Sequence, residues 1–291
     1  METGRPIDGE PSQSSQALDV AGHRLETCRY GDAGKPLRVV LLHEGLGSVA
    51  AWRDFPARLA RQLDEPVLAY SRVGYGQSAS LSAARDAGFM HHEAQVILPA
   101  LLQALQIEQP ILIGHSDGAS IALIHAGTVH STRKRGLPRA DAARHGRDAG
   151  ADGCRPRGVA VLAPHLFVEP VTVREIAKVR EGFEASGLGR RLARYHRDPE
   201  STFRDWADVW LSDEFLNWNI EAEVAAIDCP LLAIQGEDDQ YGTSLQIERL
   251  TGLSPQAKAL MLPGCRHSPH QEQPAVVLAA LTAFVAGLAR C

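Results

Sequence analysis

The sequence predicts an α/β protein: a mostly parallel sheet with helices on both faces and a helical cap inserted late in the chain. Three observations carry this. Short, nearly continuous apolar runs recur along the chain, as strands buried on both faces require. Segments of helical period lie between them. One long helical region, 165–222, breaks that alternation and holds Phe167, Phe183, Tyr195, Phe203, Trp206, Trp210, Phe215 and Trp218, which read either as core residues of extra helices or as a cap that supplies an apolar wall over a pocket.

In chain order, residues 1–16 are polar and read as a disordered lead-in. "LDVAGHRLETCRYGD" alternates around a Gly turn and reads as an edge hairpin. The buried strands follow at 37–43, 66–71, 110–116, 158–164, 230–236 and 258–264. Helical segments fall at 50–63, 91–107, 117–128, 244–252 and 274–289. The core is thus expected in two parts, 17–164 and 223–291, with the cap at 165–222 between them. Residues 130–157 carry eight Lys or Arg and three Asp but almost no large apolar side chain. Such a segment buries little and is expected to be a mobile insertion; a shifted reading frame would leave the same composition.

At 291 residues the chain suffices for one large domain with a proper core. A net charge of −5 argues against a nucleic-acid partner, and no apolar run reaches the roughly 20 residues that span a bilayer. The first residues lack the apolar centre of a secretory signal, so a cytoplasmic protein is expected. Five scattered cysteines, without CxxC spacing, argue against a disulfide framework.

The chemistry is read from "LIGHSDGASIAL", 112–123. An apolar strand ends in Gly114-His115-Ser116-Asp117-Gly118, a G-x-S-x-G pattern, and a small-residue helix follows. Glycines on either side leave room for a sharp turn that lifts the Ser hydroxyl above the sheet. The helix start offers free N–H groups to a developing negative charge. The alternative is a plain Ser cap on a helix.

A hydroxyl nucleophile needs a base, and the base needs an orienting acid. "PGCRHSPHQEQP" supplies His267 and, as a rival, His270; "IQGEDDQYG" supplies Asp238 and Asp239, of which only one can reach the base. "LLHEGLGS", 41–48, is a Gly-rich turn able to present a backbone N–H, and "SRVGYGQS", 71–78, is a further tight turn. Other reactive-looking residues have plainer readings. His91-His92-Glu93 is a solvated helix start. His115 packs inside the elbow. Arg53 and Asp54, after Trp52, form a structural ion pair. Cys265, His267 and His270 lack the fourth ligand and clean spacing of a zinc site. The Asp117 carboxylate either caps its helix or faces the pocket.

With these motifs in this order, the sequence resembles the α/β-hydrolase superfamily, in its subgroup of small cap-bearing esterases, thioesterases and carbon–carbon bond hydrolases. The resemblance spans roughly 17–290, apart from 130–157. It implies an α/β-hydrolase fold with Ser116 as nucleophile, His267 as base and Asp239 as acid, since the family's G-x-x-D pattern falls on Gly236 to Asp239. It implies an oxyanion hole from the N–H groups of Asp117 and Gly45. Two positions depart from the pattern: the usual His-Gly is His43-Glu44-Gly45, and Arg266 stands where Gly commonly precedes the base. The expected reaction is hydrolysis of a small-molecule ester or thioester through an acyl-enzyme, without metal or organic cofactor. The alternatives are a carbon–carbon bond hydrolase on the same triad and a non-catalytic ligand-binding relative. Epoxide hydrolases and haloalkane dehalogenases of this fold are disfavoured, because their elbows carry Asp where Ser116 stands.

Overall fold

The structure is a computed structural model, and it describes residues 12–134 and 155–288. The chain opens with a hairpin, β1 (Gln13–Val20) and β2 (His23–Tyr30), then β3 (Val39–Leu42), α1 (Phe55–Leu63) and β4 (Val67–Tyr70). Next come α2 (Phe89–His92), a π-helical turn (Glu93–Ile97), α3 (Leu98–Ala104), β5 (Ile111–His115), α4 (Asp117–Lys134) and β6 (Gly158–Leu162). The cap holds α5 (Pro170–Glu181), α6 (Leu188–Leu192), α7 (Pro199–Trp210) and a 3-10 turn (Phe215–Asn217). The chain closes with α8 (Glu221–Ala225), β7 (Leu231–Gly236), α9 (Leu245–Leu253), β8 (Ala257–Leu262), α10 (Pro269–Glu272) and α11 (Pro274–Leu288).

The eight strands form one sheet in the order β1-β2-β4-β3-β5-β6-β7-β8. The β1–β2 and β2–β4 pairs are antiparallel and all others parallel. Side chains alternate across a strand, and the core divides accordingly. Val40, Leu42, Leu112, Val159, Val161, Leu231 and Ala233 face one apolar cluster with the helices α2 to α4. Val39, Leu41, Ile111, Ile113, Ala160, Leu162, Leu232 and Ile234 face the other with α1 and α11. Burial on both faces is why these runs read as continuously apolar, and each such Val, Leu or Ile side chain contributes about 1.5–3 kcal/mol.

The chain leaves β3 toward β4, then crosses back over β3 to reach β5. That reversal opens a crevice at the carboxyl ends of β3 and β5, where open α/β sheets place their ligands. Both the 43–47 turn and Ser116 emerge there.

Three sequence expectations are corrected. Pairing begins at Gln13, inside the stretch 1–16 assigned to the lead-in, because Gln13–Gln16 add to β2 through their backbone although their side chains are exposed; residues 1–11 lie outside the described residues. The helix expected over 91–107 is interrupted by the π-turn just ahead of Pro99. A proline there removes an i→i−4 hydrogen bond and crowds the preceding turn, and the wider turn accommodates it. The helix expected over 117–128 runs to Lys134, and residues 135–154 of the expected insertion lie outside the described residues. Its far end is fastened by Arg155 to Asp228 at 2.7 Å and by Arg157 to the Leu288 carbonyl.

Cys28, Cys229 and Cys265 are free and buried. Among the described residues no helix is long and apolar enough to cross a membrane, and no group of His, Cys, Asp and Glu could hold a metal ion.

Candidate active site

The turn from β5 into α4 is built as its glycines predict. Ser116 has φ 51°, a left-handed conformation that costs a side-chain-bearing residue energy and persists only when its surroundings enforce it. A Cβ on Gly114 would lie 2.3 Å from the Gly118 carbonyl oxygen, and one on Gly118 would lie 2.1 Å from that of Leu42. Backbone fills both spaces, so only glycine fits on either side of the Ser. The strain lifts the Ser116 hydroxyl to the floor of a cavity of about 170 Å³.

His267 arrives from the loop after β8, and Asp239 from the loop after β7. The Ser116 hydroxyl lies 3.0 Å from His267 Nε2, and His267 Nδ1 lies 2.8 and 3.0 Å from the two Asp239 carboxylate oxygens. Burial works against ionisation of Asp239. The His267 imidazole and the Tyr241 N–H outweigh it and hold the carboxyl below its ordinary value. Asp238 is exposed and meets the loop only through its N–H, which donates to the Cys265 carbonyl. Arg266, at the position where the family pattern has Gly, donates its N–H to Glu272.

His270 lies in the first turn of α10, buried, with its ring centroid 4.8 Å from those of Trp52 and His115. His115 is packed as expected, but one of its nitrogens also lies 2.8 Å from the His267 carbonyl, bracing the loop that carries the imidazole. Asp117 opens α4 with its carboxylate buried. It accepts from Trp210 Nε1 of α7 at 3.3 Å and lies 3.8 Å from Arg72. That carboxylate fastens the cap to the elbow instead of capping its own helix. Burial raises it above its ordinary value, against the pull of Arg72.

Two further readings are corrected. Glu93 is not solvated: it is buried and accepts from the Tyr70 hydroxyl at 2.8 Å, while His91 meets Glu223. Asp54 pairs with Arg58 one helical turn on, and Arg53 stands exposed at φ 54°.

The cavity walls come from Glu44, Gly45, Leu46, Asp117, His165, Thr172, Ile176, Trp206, Trp210 and Tyr241. A Cβ on Gly45 would lie 2.1 Å from the Trp206 indole nitrogen, so any side chain there would push that ring aside. Trp218 is buried but stacks on Phe215 inside the cap. His165, after β6, escaped sequence reasoning, although its place at a strand's carboxyl end was a usable signal. Burial, reinforced by His267, pushes it down to about 3 and leaves it neutral at pH 7. A second cap contact reaches the site's rim: the Gly76 N–H donates to His196 Nδ1, and His196 Nε2 lies 2.9 Å from the Leu46 carbonyl. A larger apolar groove of about 560 Å³ lies between β8 and α11, but Lys258 is its one charged side chain and it holds no nucleophile.

This arrangement can deprotonate a hydroxyl under an apolar roof. The chain is 26% identical over 325 aligned residues to epoxide hydrolase A of Mycobacterium tuberculosis (strain ATCC 25618 / H37Rv), covering 96% of this chain and 99% of that one. It is 24% identical over 298 to a proline iminopeptidase of Heyndrickxia coagulans, covering 92% and 97%. Among solved structures it is similar in fold to a membrane phospholipase A described as a bacterial virulence factor (TM-score 0.69, 18% identity, 96% and 87% covered). It is also similar in fold to the enol-lactonase from Burkholderia xenovorans LB400 (TM-score 0.67, 16% identity, 93% and 100% covered). The alpha/beta hydrolase family matches residues 39–280, which include the elbow, both loops and the cap, and the chain belongs to that family.

Proposed function

We propose that the chain is a serine hydrolase that cleaves a small carboxylic ester or thioester through an acyl-enzyme. The observation that carries this is the unbroken line from the Ser116 hydroxyl through His267 to Asp239 on the floor of a cavity of about 170 Å³. His267 Nε2 takes the hydroxyl proton as Ser116 Oγ attacks the carbonyl carbon, and the carbonyl electron pair moves onto oxygen. Asp239 holds the tautomer that leaves Nε2 free to accept, and it stabilises the imidazolium that forms. The N–H groups of Asp117 and Gly45 hold the oxyanion; one such donor is worth about 10²–10³ in rate. His267 returns its proton to the leaving alcohol or thiol. Water, deprotonated by the same nitrogen, then releases the acid.

The cavity is close to the roughly 150 Å³ that accommodates benzene in an engineered core. An apolar acyl group of about six to eight heavy atoms fits it. An epoxide-opening route in this fold needs a carboxylate at the elbow, where Ser116 stands. Fold alone does not choose among the remaining chemistries, so the test is a panel. Wild type and Ser116→Ala are run on p-nitrophenyl esters and acyl-CoA thioesters of graded acyl size, beside a dienone substrate for carbon–carbon cleavage. Ester or thioester turnover that Ser116→Ala abolishes supports the reading. Turnover of the dienone alone assigns the carbon–carbon reaction, and turnover of none assigns a ligand-binding role.

A further inference from the structure

We infer that Arg72 is a positioning residue that aims the Gly45 N–H at the oxyanion. The inference rests on the acyl-enzyme reading above. Arg72 follows β4, on the strand next to the one that ends in the 43–47 turn, and its side chain is wholly buried. One guanidinium nitrogen donates to the His43 carbonyl at 2.6 Å and the other to the Glu44 carbonyl at 3.1 Å. The Arg72 backbone N–H donates to His43 Nε2 at 3.1 Å. That bond makes Nε2 the acceptor and leaves the proton on Nδ1, which donates to the same Glu44 carbonyl at 2.7 Å. Burial, with Arg72 beside it, holds His43 well below its ordinary pKa and keeps it neutral, as this pattern requires.

The Glu44 carbonyl oxygen accepts a third bond, from the Gly47 N–H at 3.1 Å. In a planar trans peptide the C=O and N–H point in opposite directions. Three donors on the Glu44 oxygen therefore fix the direction of the Gly45 N–H, away from Arg72. Gly45 and Ser116 line the same cavity, and among the described residues no protein group accepts from the Gly45 N–H. A cation on the carbonyl end also polarises the peptide and strengthens its N–H as a donor. The same guanidinium lies 3.8 Å from the carboxylate of Asp117, whose N–H is the other oxyanion donor. One side chain thus ties both halves of the oxyanion site together. Its planar fork holds two N–H donors in a fixed geometry; an ammonium carries the charge but does not hold two carbonyls in that fixed arrangement.

The test uses Arg72→Met and Arg72→Lys on the ester that wild type turns over best, with Ser116→Ala as the control for the acyl-enzyme reading. Affinities are measured for two inhibitors of that acyl shape: a trifluoromethyl ketone, which forms a tetrahedral oxyanion on a Ser nucleophile, and the plain methyl ketone. The expected result is kcat down about 10²-fold in Arg72→Met with KM within threefold. Trifluoromethyl ketone affinity should fall by the same factor while methyl ketone affinity holds. Arg72→Lys should lose about tenfold, between the two. If Arg72→Met does not fold, Arg72→Lys decides. Wild-type kcat and trifluoromethyl ketone affinity in the folded variant would overturn the inference. Equal losses for both ketones would also overturn it, because that marks a deformed pocket. Ester turnover that survives Ser116→Ala removes the acyl-enzyme reading and this inference with it.

Discussion

The Ser116 hydroxyl and the His267 imidazole meet at 3.0 Å across 151 residues of sequence. Neither residue's loop makes that contact alone. The elbow is aimed by Gly114 and Gly118, while the His267 loop is braced from beneath by His115 through the His267 carbonyl. The contact is therefore a product of the whole sheet, whose parallel strands set the carboxyl ends of β5, β7 and β8 along one edge.

Asp239→Asn should lower kcat/KM by about 10⁴-fold, because an amide no longer holds the tautomer that leaves His267 Nε2 free to accept. Asp238→Asn should stay within about threefold, its carboxylate being exposed and away from the imidazole. Steady-state kinetics on a single ester check both. Equal losses in the two variants would remove Asp239 from the proposed role.

Gly118→Ala should destabilise the fold by about 3 kcal/mol or more, at the upper end of overpacking costs. Its Cβ would meet the Leu42 carbonyl oxygen at 2.1 Å and that of His43 at 2.6 Å, and neither backbone atom can give way as a side chain would. Urea unfolding is the measurement. A loss below about 1 kcal/mol would show that the elbow has slack that the structure does not show.

Trp206→Ala and Trp210→Ala should shift the preference between hexanoyl and acetyl esters by at least about fivefold. Both rings line the cavity, and each methylene they cover is worth about 0.8 kcal/mol, or about fourfold in rate if realised in the transition state. Trp218→Ala should leave that ratio within about twofold, since Trp218 stacks on Phe215 inside the cap. Ratios of kcat/KM across an acyl series decide it, and an unmoved ratio in all three variants would place the selectivity elsewhere.

His165 makes a prediction about acid stability. Its folded pKa of about 3 lies below the unfolded value, near 6.5, so between those pH values the unfolded chain binds the extra proton. Stability should then rise with pH across that window and be lost as pH falls from 6.5 toward 3. One such histidine contributes a slope of up to about 1.4 kcal/mol per pH unit. His165→Gln should flatten the slope measured by urea unfolding at pH 7, 6 and 5. Asp239 does not confuse the comparison, because its depressed carboxyl loses its contribution only below the ordinary carboxylate range. Parallel slopes would mean that His165 takes up a proton in the folded state.

What sequence showed well was whatever imposes a strong local pattern. The strands β3 to β7 are continuous apolar runs because both faces are covered, whereas β8, expected as a sixth buried strand, lies at the sheet edge with Lys258 and Ala259 exposed. The elbow is visible because backbone occupies the space on either side of Ser116. The start of β1 was hidden because Gln13–Gln16 pair through the backbone alone, with polar side chains in solvent. The buried polar network of Tyr70, Arg72, Glu93 and Asp117 was hidden for the opposite reason. Charged residues in turns and helix starts ordinarily face water, and only the folding of β4, the π-turn and α4 onto one another takes these inside. The indole of Trp210 reaching Asp117, 93 positions away, has no local signature at all.

His196 joins the Gly76 N–H to the Leu46 carbonyl, and Trp210 holds the Asp117 carboxylate. Both side chains belong to the cap; both anchor points sit beside the groups that would face an oxyanion. A roof that is also a brace cannot be raised without slackening the frame. On the proposed reading, the closed cap and the reactive site would be a single state. A guest that propped the cap ajar would then disarm the chamber it had entered, and size would be judged by whether these contacts can still close around it.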